Sequence, residues 1–173
     1  MDWGVLGATI GRMAGSYWEV PVIEGIEKIP SSDQLKHFGA AMASYGSVPL
    51  FHIVGITPEC HKIGDVGGLG LGIKKVTNEA THHLKQSFTA LGDKVDVVVF
   101  AAPQLSIIEM SELAELCNGR QRSSKTDLIV CTSAQVYADA VSMGYVAKIE
   151  TFGGRVLVGT CFYQQYALSL IHI

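Results

Sequence analysis

The stretch from Pro49 to Glu59, PLFHIVGITPE, decides how the rest of the chain is interpreted. Its first half carries the aliphatic and aromatic side chains that fill a covered β-strand. Its second half is a turn, because Gly55 frees the backbone and Pro58 holds the preceding residue in an extended conformation. Open α/β sheets bind ligands beyond the carboxyl ends of their strands, so the polar residues of the stretch are candidate site residues. They are His52, Thr57 and Glu59.

These polar residues also have an ordinary structural interpretation. A single histidine in an apolar strand is more often a hydrogen-bonded core residue, and Thr-Pro-Glu more often begins a helix. Composition alone therefore leaves both interpretations open, and the neighbouring segments have to decide between them.

Composition and charge exclude several classes of protein. The length of 173 residues suits one domain or one and a half. The net charge of −3 gives no sign of the basic surface that nucleic-acid binding requires. No apolar run is long enough to cross a membrane, and the first residues lack a signal-peptide pattern, so we expect a cytoplasmic protein without a membrane partner. Charged residues make up 17%, below the soluble average of about 25%, which predicts a tightly packed enzyme core with much of its surface covered.

Four cysteines are spread along the chain without a Cys-x-x-Cys pair: Cys60, Cys117, Cys131 and Cys161. In a chain without an export signal, this spacing predicts free thiols or scattered metal ligands rather than a disulfide framework. Cys117 falls at the end of a predicted helix and Cys131 inside a predicted strand, so both are expected to be packing residues.

Hydrophobic periodicity predicts an alternation of strands and helices. The predicted helices are 2–16, 31–44, 78–91, 107–117 and 133–143, and the predicted strands are 20–26, 50–54, 73–77, 94–101, 127–132 and 155–158. The near-continuous apolar run at 95–100 is typical of a parallel strand that is covered on both faces. The alternation therefore predicts an α/β fold, a three-layer α/β/α arrangement with a mainly parallel sheet and helices on both faces.

Glycines mark two segments. Gly4, Gly7, Gly11 and Gly15 recur every three or four residues in the first predicted helix, which gives it a smooth face for close packing against a sheet or a ligand. The second segment, 60–72, contains five glycines but neither a Walker ending nor the Gly-x-Gly-x-x-Gly spacing after a strand, so a flexible loop is predicted.

Several segments, taken in order, resemble the large subunit of aconitase X. The most specific is the element His-x-x-Gly-x-Thr-Pro-Glu, from His52 to Glu59. The other segments are ordinary singly and persuasive as an ordered set: Asp2–Gly7, Pro21–Ile23, Leu35–Ser44, Asp96–Ser106, Cys131–Ser133 and Gly159–Cys161. The resemblance covers the chain from Trp3 to about Tyr163.

The resemblance implies a dehydratase with an aconitase-like fold. Known aconitase X activities include the dehydration of cis-3-hydroxy-L-proline and, in archaea, of phosphorylated mevalonate. The resemblance also implies an iron or iron–sulfur centre held by cysteines, and a small swivelling subunit or domain that closes the active site. Because the large subunit is much longer than this chain, residues 1–166 are expected to be a fragment of the catalytic domain that spans parts of two α/β subdomains and is inactive alone. Residues 167–173 are expected to be a non-native tail.

The resemblance assigns roles to particular residues. Dehydration expels hydroxide, which iron can bind as a Lewis acid while a base removes a proton from the neighbouring carbon. His52 and Glu59 are the expected catalytic residues, and burial should raise the pKa of Glu59 if it is the base. Cys161 is the expected metal ligand, with a small buried hydrophobe as the alternative. The expected substrate-binding residues are Thr57, Ser106, Thr132 and Ser133, although serines at the positions of the two serines are more often plain helix caps.

The main departure from the family pattern is at Ala102. Family members often have Gly-Cys-Pro-His where this chain has Ala101-Ala102-Pro103-Gln104, so one expected thiolate is missing and Gln104 replaces a histidine. This departure motivates a second hypothesis, a degenerate non-catalytic α/β binding module without the iron centre. The glycine-rich segment motivates a third, a nucleotide-binding domain, although no acidic residue lies at the distance that such a fingerprint requires.

Overall fold

A computed structural model describes residues 2–88, 92 and 94–160. Its contacts divide the chain into two compact units, unit 1 (residues 1–89) and unit 2 (residues 90–173). The expected metal ligand Cys161, the expected tail 167–173 and the end of the predicted helix 78–91 lie outside the described residues. Among the helices that are described, none has the length and apolar character to cross a bilayer.

Unit 1 has a two-stranded parallel sheet and three α-helices in its described part. Its elements are α1 (Trp3–Ala14), β1 (Val22–Ile23), α2 (Ser32–Gly46), β2 (His52–Ile53), a 3₁₀ turn (Ile63–Val66) and α3 (Asn78–Gln86). Val22 lies opposite His52, and Ile23 lies opposite Ile53. The strands predicted at 20–26 and 50–54 are therefore confirmed only at their centres.

The strand predicted at 73–77 is wrong, because that segment has no strand pairing. It is held by a side chain instead: Lys74 Nζ donates to the carbonyl of Met13 at 2.8 Å. Ile73 beside it is 94% exposed, so the apolar residue that suggested a strand faces solvent.

Glycines let α1 and α2 approach at backbone distance. A Cβ added to Gly7 would lie 2.2 Å from the carbonyl oxygen of Phe38, and one added to Gly11 would lie 2.6 Å from that of Met42. From the other side, a Cβ on Gly46 would lie 2.0 Å from the carbonyl oxygen of Gly11. The predicted glycine face is therefore a close-packing face, but its partner is a helix and not the expected sheet or ligand.

The core of unit 1 surrounds the aromatic residues of α1 and α2. Trp3 and Phe38 meet edge to face with ring centroids 6.0 Å apart, and Phe38 meets Phe51 in the same way at 5.0 Å. Ile53 of β2 is fully buried in this cluster. The burial of Ile53 fixes the short strand on which His52 lies.

Unit 2 is a three-stranded parallel sheet with three helices in its described part. Its elements are β3 (Val97–Leu105), α4 (Ile107–Cys117), β4 (Asp127–Thr132), α5 (Ala134–Ser142), α6 (Tyr145–Phe152) and β5 (Gly154–Val158). The strand order is β3-β4-β5, and both pairs are parallel. The predicted α/β class with parallel pairing is confirmed.

Burial differs between the strands of this sheet. The central strand β4 is buried on both faces: Leu128 and Val130 pack with the three helices, while Ile129 and Cys131 form a second cluster on the opposite face. In contrast, Phe100 of β3 is 41% exposed, because β3 is an edge strand of the described sheet. The prediction that the run at 95–100 is covered on both faces is therefore wrong for β3.

Two boundaries in unit 2 differ from the sequence-based expectation. The strand expected to end at 101 continues to Leu105, through a cis peptide bond between Ala102 and Pro103. Gly144 was expected to end the helical segment, but its left-handed backbone (φ 76°) also begins α6. Helix α6 is therefore an element that the sequence pattern missed.

Candidate functional site

His52 and Glu59 form a short hydrogen-bonded pair in unit 1. His52 Nδ1 lies 2.6 Å from Glu59 Oε1. The turn between them brings the two side chains together, since Gly55 takes a left-handed backbone (φ 74°) and its N–H donates to the carbonyl of Cys60 at 2.8 Å. The His52 side chain is 14% exposed and that of Glu59 is 47% exposed, so the imidazole lies inside and the carboxylate at the surface.

The charge state of Glu59 differs from the sequence-based expectation. Hydrogen bonds from its own backbone N–H and from His52 lower the pKa of Glu59, and they outweigh the desolvation that would raise it. The expected raised pKa is therefore wrong, because the carboxylate is half exposed and receives donors. Glu59 is an ionised carboxylate at neutral pH, which suits it to orient His52 rather than to take a proton.

Thr57 uses its hydroxyl within the same turn. Its Oγ1 accepts from the N–H of Ile53 at 3.1 Å and donates to the carbonyl of Ile53 at 3.3 Å. Thr57 also forms a hydrogen bond with Glu59 that contributes to the lowered pKa of this carboxylate, so the Thr57 hydroxyl is used within the turn that presents Glu59.

Three cysteines among the described residues are buried, and burial disfavours the thiolate of Cys60 and Cys117. Burial raises the pKa of Cys60, and the nearby Asp65 and Glu59 raise it further. Burial also raises the pKa of Cys117 at the end of α4. Cys131 is fully buried in the second cluster of β4. These positions fit packing better than metal ligation, which needs the thiolate.

In unit 2, three of the expected substrate-binding residues meet at one edge of the sheet. Ser106 follows β3 and caps α4, accepting from the N–H of Glu109 at 3.2 Å. Ser133 follows β4 and caps α5, accepting from the N–H of Val136 at 3.2 Å. Thr132 ends β4. This edge combines the carboxyl ends of parallel strands with two helix N-termini, an arrangement suited to an anionic group.

Thr132 is fully buried, and its hydroxyl joins two strands. Its Oγ1 donates to the carbonyl of Leu105 at 2.7 Å, and its own carbonyl accepts from the N–H of Gly159 at 2.9 Å. Thr132 therefore connects the end of β4 to the ends of both neighbouring strands.

Two features of the structure were missed by the sequence analysis. Gln104 Nε2 donates to the carbonyl of Thr160 at 2.9 Å. The only sequence feature that pointed to Gln104 was its position in Ala-Ala-Pro-Gln, the segment that differs from the family pattern. Unit 1 also contains an open cleft of about 850 Å³ that does not include the His52–Glu59 pair. Its polar lining includes Asp2, Glu24, Asn78, Glu79, His82 and Lys85.

The described residues do not supply a metal site. Within 2–88, 92 and 94–160, no group of three or more His, Cys, Asp or Glu side chains is placed to hold a metal ion. Ala102, where the family pattern has a cysteine, has no ligating atom. The described residues therefore do not fit an iron centre by themselves.

Comparison with known proteins identifies the family. The family models for the second and third domains of aconitase X match residues 1–98 and 95–172. A cis-3-hydroxy-L-proline dehydratase of Pseudomonas aeruginosa is 32% identical over 161 residues, which are 89% of this chain and 28% of that protein. A phosphomevalonate dehydratase large subunit of Methanocaldococcus jannaschii is 30% identical over 170 residues, which are 92% of this chain and 38% of that protein.

The fold comparison agrees with the sequence comparison. A crystal structure of the holo form of Thermococcus kodakaraensis aconitase X matches with a TM-score of 0.78 at 29% identity, over 93% of this chain and 40% of that one. The expected aconitase-like α/β fold is thereby confirmed. This chain, which spans less than half the length of each of these relatives, belongs to the aconitase X family.

Proposed function

We propose that the protein acts, in its full-length form, as a hydro-lyase that removes water from a small hydroxy acid. The observation that carries the proposal is that both kinds of dehydratase align with about nine tenths of this chain. The candidate substrates are therefore cis-3-hydroxy-L-proline and a phosphorylated mevalonate. A non-catalytic binding module is not favoured, because these relatives are named as dehydratases.

The His52–Glu59 pair supports a role in proton transfer. An ionised Glu59 accepts the Nδ1–H of His52, which fixes the tautomer and leaves Nε2 as the basic nitrogen. We propose that Nε2 takes the proton from the carbon next to the one that loses hydroxide, so that the electrons of the broken C–H bond form a carbon–carbon double bond as hydroxide leaves. Glu59 stabilises the imidazolium that results. Transfer of that proton from the imidazolium to the hydroxide then gives water and restores the neutral imidazole.

For unit 2 we propose binding of a substrate carboxylate at the strand-end edge. The N-termini of α4 and α5 present backbone N–H groups there, and Ser106 and Ser133 are the N-cap residues of these helices. Thr57 in unit 1 and Thr132 in unit 2 contribute by holding the backbone of their own segments, because their hydroxyl protons are already donated within the chain.

The cofactor, partner and location are further parts of the proposal. The cofactor would be an iron or iron–sulfur centre, with Cys161 as the ligand from this chain. A small swivelling subunit or domain would close the site, and the enzyme would be cytoplasmic. We also propose that residues 1–166 belong to the catalytic domain.

The test uses the full-length protein purified without oxygen. Water elimination is measured with each candidate substrate, and iron and acid-labile sulfide are measured on the same sample. We expect turnover of one substrate, and a loss of kcat of about a hundredfold or more in Glu59→Gln, because the imidazole loses its charged partner. Glu27→Gln is the control, since Glu27 is an exposed glutamate with no side-chain partner among the described residues.

Several outcomes would count against parts of the proposal. Absence of elimination with both substrates would remove the hydro-lyase assignment, and binding without turnover would favour the non-catalytic module. Full activity in Glu59→Gln would remove the role of the His52–Glu59 pair. Iron that is lost in Cys161→Ser would support the cofactor, and iron that is retained in that variant would remove Cys161 as a ligand.

A further inference from the structure

β3 contains a bulge just before its end. Phe100 pairs with Val130 and Leu105 pairs with Thr132, so the four residues 101–104 stand opposite the single residue 131 of β4. Bulges of this kind bend a strand and change the direction of its side chains. The bulge therefore removes Gln104, its last residue, from the regular strand ladder.

Because Gln104 lies outside the regular strand ladder, its side chain can contact the chain just beyond β5, a strand that does not pair with β3. The strand order places β4 between β3 and β5, so β3 and β5 are separated by about 9–10 Å. Gln104 Nε2 nevertheless donates to the carbonyl of Thr160, just beyond β5, at 2.9 Å. The amide orientation follows from the chemistry, since a carbonyl acceptor requires the NH₂ group.

Two other hydrogen bonds complete the connection between the strand ends. Thr132 Oγ1 donates to the carbonyl of Leu105, and Gly159 N–H donates to the carbonyl of Thr132. β3 is thus joined to β4, β4 to β5, and β3 directly to β5 through Gln104. We call these three contacts the strand-end clamp.

We propose that Gln104 is a positioning residue that fixes the carboxyl edge of the β3-β4-β5 sheet through the strand-end clamp. α4 and α5 begin at this edge, immediately after β3 and β4, so the clamp sets the spacing of their N-termini. Its consequence for substrate binding rests on the dehydratase function proposed above. The neutral amide of Gln104 donates at every pH, whereas the histidine of the usual family motif would titrate.

The first test removes the donor and keeps the shape. Gln104→Glu places a carboxylate oxygen against the Thr160 carbonyl, and Gln104→Met leaves neither charge nor donor. In this chain we expect hydrogen exchange of the segment 155–160 to rise roughly tenfold in both variants, since one hydrogen bond is lost. Gln121→Glu is the matched control, because Gln121 is exposed in the loop before β4. Unchanged exchange in both Gln104 variants would overturn the proposal.

The second test uses pH to separate the hydrogen bond from general damage. A carbonyl neighbour favours the protonated form of the introduced carboxyl, which raises its pKa and makes it a donor again as the pH falls. The stability difference between Gln104→Glu and wild type should therefore be full at neutral pH and shrink below about pH 5. Gln104→Met should show no such recovery. Equal pH profiles for the two variants would contradict the assigned bond.

The third test asks whether the clamp positions the substrate-binding edge. In the full-length enzyme, Gln104→Met should raise KM at least fivefold with kcat changed less than twofold, because ground-state binding is lost and the reacting groups are untouched. An unchanged KM together with faster exchange would reduce Gln104 to a structural residue and overturn the positioning role. If the wild-type enzyme eliminates water from neither substrate, the dehydratase function fails, and the exchange and pH tests still decide on the clamp.

Discussion

At the scale of single residues, the structure changes what His52 and Glu59 can do. The sequence predicts both as catalytic, with Glu59 as a base whose pKa is raised by burial. In the structure, Glu59 is half exposed and its pKa is lowered by hydrogen bonds to its charged form. The spacing of seven residues between the two could be recognised in the sequence, but the direction of the pKa shift depends on exposure and donors, which only the folded turn reveals.

The lowered pKa of Glu59 predicts a pH-dependent contribution to stability. A carboxyl whose folded pKa is depressed stabilises the fold above its unfolded pKa, and this stabilisation is lost as the pH falls through the folded value. Glu59→Gln should therefore lower the urea midpoint at pH 7, and the difference from wild type should disappear in acid. Glu27→Gln should match wild type throughout. A difference that persists unchanged in acid would contradict the assigned shift.

Thr132 offers a second prediction at the same scale. Its buried hydroxyl satisfies the carbonyl of Leu105, so Thr132→Val should cost about 1–3 kcal/mol in the free energy of unfolding by leaving that carbonyl without its donor. Thr132→Ser keeps the donor and loses one methyl group, so we expect a cost of about 1 kcal/mol. Urea denaturation of the two variants measures this difference. If the serine variant were the less stable one, packing rather than the hydrogen bond would hold the strand ends.

At the scale of elements, the contact between α1 and α2 depends on the absence of side chains. Gly7→Ala would place a methyl group 2.2 Å from the backbone oxygen of Phe38, so the helices would have to separate. We expect a net loss of about 1–3 kcal/mol, although alanine favours the helix itself. Gly4→Ala, in the same helix, meets only Asp2 Oδ1 at 3.6 Å and should stabilise the protein by about 0.5–1 kcal/mol. Thermal denaturation monitored by circular dichroism distinguishes the two. Equal effects would contradict the close approach.

The helices and strands also show which structural features sequence patterns can predict. The helix caps at Ser106 and Ser133 agree with the capping interpretation from the sequence, because a capping serine before an apolar periodicity is a local signal. β4 was predicted with its observed limits because it is a short, nearly continuous apolar run. The errors concern properties set by distant residues: the helix partner of the α1 glycines, the edge position of β3, and the second helical start at Gly144.

At the scale of the whole molecule, each unit has its own hydrophobic core. Phe38 is fully buried in unit 1, and Ile149 is fully buried in unit 2. Phe38→Ala should cost about 3–5 kcal/mol and Ile149→Ala about 2–5 kcal/mol. Hydrogen exchange of peptides from the mutated unit should report the loss in each case, with Phe38→Leu as a milder control. Unchanged protection of unit 1 peptides in Phe38→Ala would contradict the described core.

The low charged fraction predicted a largely covered surface, and the structure departs from that expectation. Trp18 is 86% exposed, Leu69 is 73% exposed and Ile73 is 94% exposed. The chain aligns with only 28% of the hydroxyproline dehydratase and 38% of the phosphomevalonate dehydratase subunit. The described residues leave these apolar side chains uncovered, so composition alone did not predict their exposure.

The edge-to-face contact of Trp3 with Phe38 gives the protein an internal optical probe. The chain has two tryptophans, and both precede residue 90: Trp3 is 6% exposed, while Trp18 is almost fully in solvent. Their emission spectra should differ in wavelength and in accessibility to iodide, and Trp18→Phe would leave a single emitter inside the first core. Tryptophan fluorescence would then report only the unfolding of the unit 1 core. The sequence of unit 2 contains no tryptophan, so its unfolding would not change this signal.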